Sequence, residues 1–114
     1  MWSFQGSNTQ LKAEIPDIKP QSSNRYLRLL AVSRLYLDNF ANMQSSWVTQ
    51  GSYIGQLALK FGANDLGSTM MEENVVKAAG AENRMNKEEM IRLIKDIGEN
   101  PAKRNTAYEI LERF

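Results

Sequence analysis

The reactive side chains of this 114-residue chain are a restricted set, because it contains neither cysteine nor histidine. No disulfide, thiolate nucleophile, Cys/His zinc site or cysteine-held iron–sulfur cluster can form within it. A Ser-His-Asp triad and a histidine general base or pH switch are excluded too. Carboxylates, hydroxyls, amides, Lys and Arg remain. Two groupings of these stand where α/β proteins bind ligands. Asn42, Gln44 and Ser46 alternate along one face of a strand candidate, with Met43, Ser45 and Trp47 on the other. In an antiparallel sheet such a polar face is ordinary surface. In a parallel barrel it would point inward, where buried amides need partners, and would mark a binding site near the mouth. Glu72 and Glu73 directly follow a second strand candidate, 64–69 (NDLGST). Beyond the carboxyl end of a parallel strand, two carboxylates could hold a ligand hydroxyl or a cation, or move a proton. From spacing alone the simpler reading is favoured: acidic residues in the first turn of a helix, where the dipole favours negative charge.

Other features carry less chemistry. No G-x-G-x-x-G or Walker sequence is present, and Gly62, Gly67 and Gly80 stand alone, as helix stops and tight strand ends. Met43, Met70, Met71, Met85 and Met90 are scattered as core gap fillers are. The Lys103-Arg104 pair is too short for a nucleic-acid footprint.

The elements that must position these groups follow from periodicity and caps. Residues 2–4 (WSF) suit a strand end, and Pro16 and Pro20 keep 11–21 irregular. Ser22 and Ser23 are candidate N-caps for a helix over 24–37 that is apolar around much of its circumference, with Arg25, Arg28 and Arg34 on its wetter side. Residues 42–48 (NMQSSWV) read as a second strand. A helix follows over 53–61, with Ile54, Leu57, Ala58 and Phe61 on one face. After the third strand come a short helix over 72–79, a helix over 87–97 opened by the N-x-x-E pair Asn86 and Glu89, and a last helix over 107–113 carrying Glu109 and Arg113 at i,i+4. Strands alternating with helices imply a parallel sheet with helical cover. Three strands make a thin sheet whose edges and all-round apolar helix lack cover, as in a piece of a larger α/β structure.

Composition sets the setting. Hydrophobic residues make up 42% and charged residues 24%, and the formal net charge is +1, which gives no steering towards nucleic acid or acidic membranes. The longest apolar run, Leu29-Leu30-Ala31-Val32, is too short for a membrane span or a signal-peptide core. The expectation is one cytoplasmic domain.

Residues 44–51 (QSSWVTQG), 55–59 (GQLAL) and 61–76 (FGANDLGSTMMEENVV), together with 2–9 (WSFQGSNT) and 27–34 (LRLLAVSR), resemble the C-terminal part of the cyclic dehypoxanthine futalosine synthases. These are radical S-adenosylmethionine (SAM) enzymes of the futalosine route to menaquinone, and the resemblance covers essentially the whole chain. It implies a parallel (β/α) radical-SAM-type barrel in the full-length enzyme, of which this chain supplies the last three βα units, with strands at 2–4, 43–48 and 64–68. It also implies a [4Fe-4S] cluster and SAM in that enzyme, reductive cleavage of SAM to a 5′-deoxyadenosyl radical, hydrogen abstraction from the ribose of dehypoxanthine futalosine, and ring closure. The family's Cys-x-x-x-Cys-x-x-Cys cluster motif is absent here, so no cluster ligand carries over. The share expected of this chain is therefore substrate positioning, with no activity in isolation. Gln44, Ser46 and Thr49 at one strand end, and Ser68, Thr69 and Glu72 at another, are the expected substrate-facing groups, with Gln5, Asn8 and Thr9 as further loop candidates. Two alternatives stay open: a related radical SAM enzyme, such as an aminofutalosine or deazaflavin synthase, and a non-catalytic α/β module that hides its uncovered faces by self-association.

Overall fold

The computed structural model describes residues 9–69 and 83–114. The strand expected at 2–4 and the helix expected at 72–79 lie outside the described residues, as do Gln5, Asn8 and Glu72. The chain divides into two units, Met1–Arg84 and Met85–Phe114.

In the first unit a short helix α1 (Gln10–Glu14) is capped by Thr9, whose hydroxyl accepts the Lys12 amide at 3.3 Å. Helix α2 (Ser23–Tyr36) starts where the serine pair predicts: Ser22 is in extended conformation and its Oγ accepts the Arg25 amide at 3.4 Å. Tyr26, Leu27 and Leu30 form the buried stripe of α2, and they build the core with Ala58 and Ala63, against which Met43, Ile54 and Leu59 pack. The rest of the apolar circumference is uncovered. Leu29, Val32, Leu35 and Tyr36 are all exposed, the last two at 85% and 84%.

The segment read as a strand at 42–48 is shorter than expected. Gln44 pairs with Asp65 in a single parallel bridge, supported by Ser45 N–H to Asp65 O at 2.8 Å and Asn64 N–H to Met43 O at 3.0 Å. The chain then turns at Ser46 into helix α3 (Trp47–Gln50), so Trp47 and Val48 are helical, not extended. The reason is tertiary. Trp47 is 1% exposed and packs so closely on Gly55 that a Cβ there would lie 2.5 Å from the Trp47 Cβ. An extended strand could not fold Trp47 back onto that helix. Helix α4 (Ser52–Ala58) follows and tightens into a 3-10 turn over Leu59–Phe61. Gly62 stops it at φ +108, a left-handed backbone favouring glycine. The strand expected at 64–68 is likewise cut short, because Asp65 Oδ1 accepts the Gly67 amide at 2.9 Å and turns the chain.

The amino-terminal ends of the paired segments are bolted by Arg34. Its Nε donates to Gly62 O at 2.7 Å, one Nη to Phe40 O at 2.8 Å and the other to Asn64 Oδ1 at 3.2 Å. Asn64 Oδ1 also accepts the Met43 amide at 2.8 Å.

The second unit holds helix α5 (Lys87–Asp96), capped by Asn86 Oδ1 accepting the Glu89 amide at 2.8 Å, with Glu88 and Glu89 in its first turn. Met90 and Leu93 are its buried residues. The expected helix at 107–113 is a strand. Strands β1 (Ala102–Arg104) and β2 (Ile110–Arg113) form an antiparallel hairpin, with Ala102 opposite Arg113 and Lys103 opposite Glu112. Asn105 Oδ1 accepts the amides of Ala107 and Glu109 at 2.9 and 3.0 Å, and Tyr108 takes a left-handed φ of 64° beneath the Arg104 guanidinium, 4.1 Å from its ring centre. A seven-residue helix is marginal in water, and an i,i+4 ion pair adds only about 0.2–0.5 kcal/mol. Pairing with β1 satisfies the same backbone groups better. Among the described residues this hairpin is the only sheet, alongside the isolated parallel bridge.

Candidate functional site

The two paired segments run parallel, so their carboxyl ends lie side by side at Ser46 and at Gly67–Thr69. Three features position polar groups there. First, Ser46 is 2% exposed and its amide donates to the phenolic oxygen of Tyr26 at 2.8 Å; Tyr26 is itself fully buried. Second, the Ser46 and Thr49 hydroxyls are 2.7 Å apart, and Thr49 Oγ1 also lies 3.2 Å from the Ser46 carbonyl oxygen, so one turn presents a hydroxyl pair. Third, the Gln44 carboxamide lies across Gly67. A Cβ on Gly67 would collide with Gln44 Nε2 and sit 2.9 Å from its Cδ. Gln44 is half-buried, and its carboxamide makes no hydrogen bond among the described residues.

The structure thus brings Ser46 and Thr49 into direct contact and sets Gln44 against the neighbouring strand end. Ser68 is exposed and Thr69 half-buried just beyond Gly67. Glu72 lies outside the described residues. The expected alternation of one polar and one apolar strand face does not hold through residue 46, since Ser45 and Ser46 are both buried. Ser45 Oγ donates to Gly55 O at 3.2 Å and ties the strand to α4. Behind the site, Asn83 Nδ2 donates to Val48 O at 2.9 Å.

Sequence reasoning missed Tyr26 and Gly67. Tyr26 counted only as an apolar residue of α2, although a tyrosine in a helix apolar all round carries a hydroxyl that must find a partner. Gly67 at φ +80 was legible as a tight strand end, but the side chain it accommodates was not.

Chemically, the arrangement offers hydroxyls and an amide to a polar ligand. It offers no metal centre: among the described residues no three or more carboxylate side chains group together, and the chain has no cysteine or histidine. The residues present do not fit the cluster that the radical SAM resemblance implies. No helix among the described residues is long and apolar enough to cross a membrane.

The described residues thus form a small α/β arrangement in which two segments joined by a parallel bridge end beside hydroxyls and an amide. The model of the CofH/MqnC C-terminal region family matches residues 1–114, and the chain belongs to that family. It is 47% identical over 113 residues to cyclic dehypoxanthine futalosine synthase of Halalkalibacterium halodurans, covering 99% of this chain and 30% of that protein. The synthase of the same name from Streptomyces coelicolor is 46% identical over 110 residues, 96% of this chain and 27% of its own length. A 5-amino-6-(D-ribitylamino)uracil–L-tyrosine 4-hydroxyphenyl transferase from Methanosphaerula palustris is 48% identical over 86 residues, 74% of this chain and 24% of the transferase. The chain therefore spans less than a third of the curated relatives it matches.

Proposed function

We propose that these residues form the substrate-positioning, C-terminal portion of a longer cyclic dehypoxanthine futalosine synthase, and that they complete the last three βα units of its barrel. The observation that carries this reading is the extent of the match. The two synthases align with 99% and 96% of this chain, whereas the transferase relative aligns with 74%. That difference favours the substrate of the two synthases over that of the transferase.

In this reading the Ser46–Thr49 hydroxyl pair and the Gln44 carboxamide hold polar groups of the nucleoside at one strand end. Ser68, Thr69 and Glu72 hold others at the next. Hydrogen bonds at strand ends orient a bound nucleoside and keep its reacting carbon in place. SAM and the [4Fe-4S] cluster belong to the rest of the enzyme and supply its radical chemistry when bound. The chain's own work is to bind and orient, and alone it is inactive. The test is Gln44→Ala and Glu72→Gln in the full-length enzyme. A weaker substrate affinity or slower turnover in either supports the assignment, and unchanged turnover and affinity in both refute it.

A further inference from the structure

We infer that Gly67 is a positioning residue for the substrate, acting through Gln44. The inference rests on the reading that Gln44 faces substrate, and it goes beyond that reading by naming what fixes the amide. Three observations carry it. Gly67 sits at φ +80, a backbone that L side chains rarely adopt. The space a Cβ would need is taken by the Gln44 carboxamide, whose Cδ would be 2.9 Å and Cγ 3.5 Å away. Among the described residues that carboxamide makes no hydrogen bond, and it lies against the bare Gly67 backbone. The turn at Gly67 is itself fixed by Asp65 Oδ1, at 2.9 Å from the Gly67 amide, and Asp65 is the bridge partner of Gln44. One short loop thus supplies both the floor beneath the amide and the register that brings the amide over it. An amide presented in this way offers a donor and an acceptor together, which suits a ligand group carrying both, such as a ribose hydroxyl.

A side chain at residue 67 would push the Gln44 amide off this floor. The experiment is a double-mutant cycle in the full-length enzyme: Gly67→Ala, Gln44→Ala and the pair, with KM and kcat for dehypoxanthine futalosine measured separately. Gly98→Ala serves as the strain control, since Gly98 has φ +78 and nothing within 4 Å of its missing Cβ. Gln44→Ala is expected to raise KM about five- to tenfold, the scale of one hydrogen bond to a ligand. Gly67→Ala should raise KM by a similar factor with kcat little changed, and should add nothing in the Gln44→Ala background, where the obstructing atoms are gone. Gly98→Ala should leave KM unchanged. If Gly67→Ala alone does not fold, the inference requires that the double variant folds and shows the KM of Gln44→Ala. An inert Gly67→Ala, an equal effect of Gly67→Ala with and without Gln44, or a double variant that stays unfolded while Gly98→Ala folds, each overturns it. An inert Gln44→Ala would remove the underlying reading as well, whereas an effect of Gln44→Ala beside an inert Gly67→Ala removes only the role of Gly67.

Discussion

Replacing Tyr26 by phenylalanine should destabilise the chain by about 1–3 kcal/mol, the cost of stranding one buried polar group. The change deletes a single oxygen and keeps the ring, so packing in the core around Leu27, Leu30, Ala58 and Ala63 is preserved. What it removes is the acceptor of the Ser46 amide, 2.8 Å from the phenolic oxygen. Tyr26 is 0% and Ser46 2% exposed, so water cannot replace the lost partner without opening the core. An unsatisfied buried N–H therefore carries its full desolvation cost. Urea denaturation of the 114-residue chain, followed by tryptophan fluorescence, measures this directly. The midpoint should fall while the slope stays the same, since the surface exposed on unfolding is unchanged. A shift within about 0.5 kcal/mol, the range of ordinary surface substitutions, would refute the account of Tyr26 as the anchor of the Ser46 turn.

Other expectations follow from single contacts. Arg34→Lys should cost about 1–2 kcal/mol, because one ammonium cannot reach Gly62 O, Phe40 O and Asn64 Oδ1 together as the guanidinium fork does; the same denaturation assay reads it. Asn86→Ala should remove about 1 kcal/mol by uncapping α5, measurable as lost helicity or a lower midpoint. The exposed row Leu29, Val32, Leu35 and Tyr36 should make the isolated chain self-associate, with sedimentation showing a mass that rises with concentration. The pair Val32→Glu and Tyr36→Glu should return it to monomer. A wild-type chain that stays monomeric at every concentration would contradict this.

What could be read from the sequence was local. The start of α2 lay in Ser22 and Ser23, and that of α5 in the Asn86/Glu89 spacing, because a cap is a contact between residues three apart. The adjacency of the 42–48 and 64–69 segments followed from the alternation of strands and helices, and the Gln44–Asp65 bridge is parallel. The hairpin could not be read, since strands of three and four residues have no period to show, and Ala107, Ile110, Leu111 and Phe114 mimic a helical face. Trp47 was misplaced in a strand because its packing on Gly55 is tertiary. At the site, Gln44, Ser46 and Thr49 were visible as polar residues near a strand end. The groups that hold two of them, Tyr26 and Gly67, stand twenty or more residues away from their partners, beyond the reach of any local pattern.

The most direct test of substrate positioning is the affinity of the full-length enzyme for dehypoxanthine futalosine, measured by titration calorimetry with Gln44→Ala and Thr49→Val combined. Loss of two ligand hydrogen bonds at about 1 kcal/mol each predicts roughly thirtyfold weaker binding. An unchanged Kd in a folded variant would contradict the claim that this strand end holds the substrate.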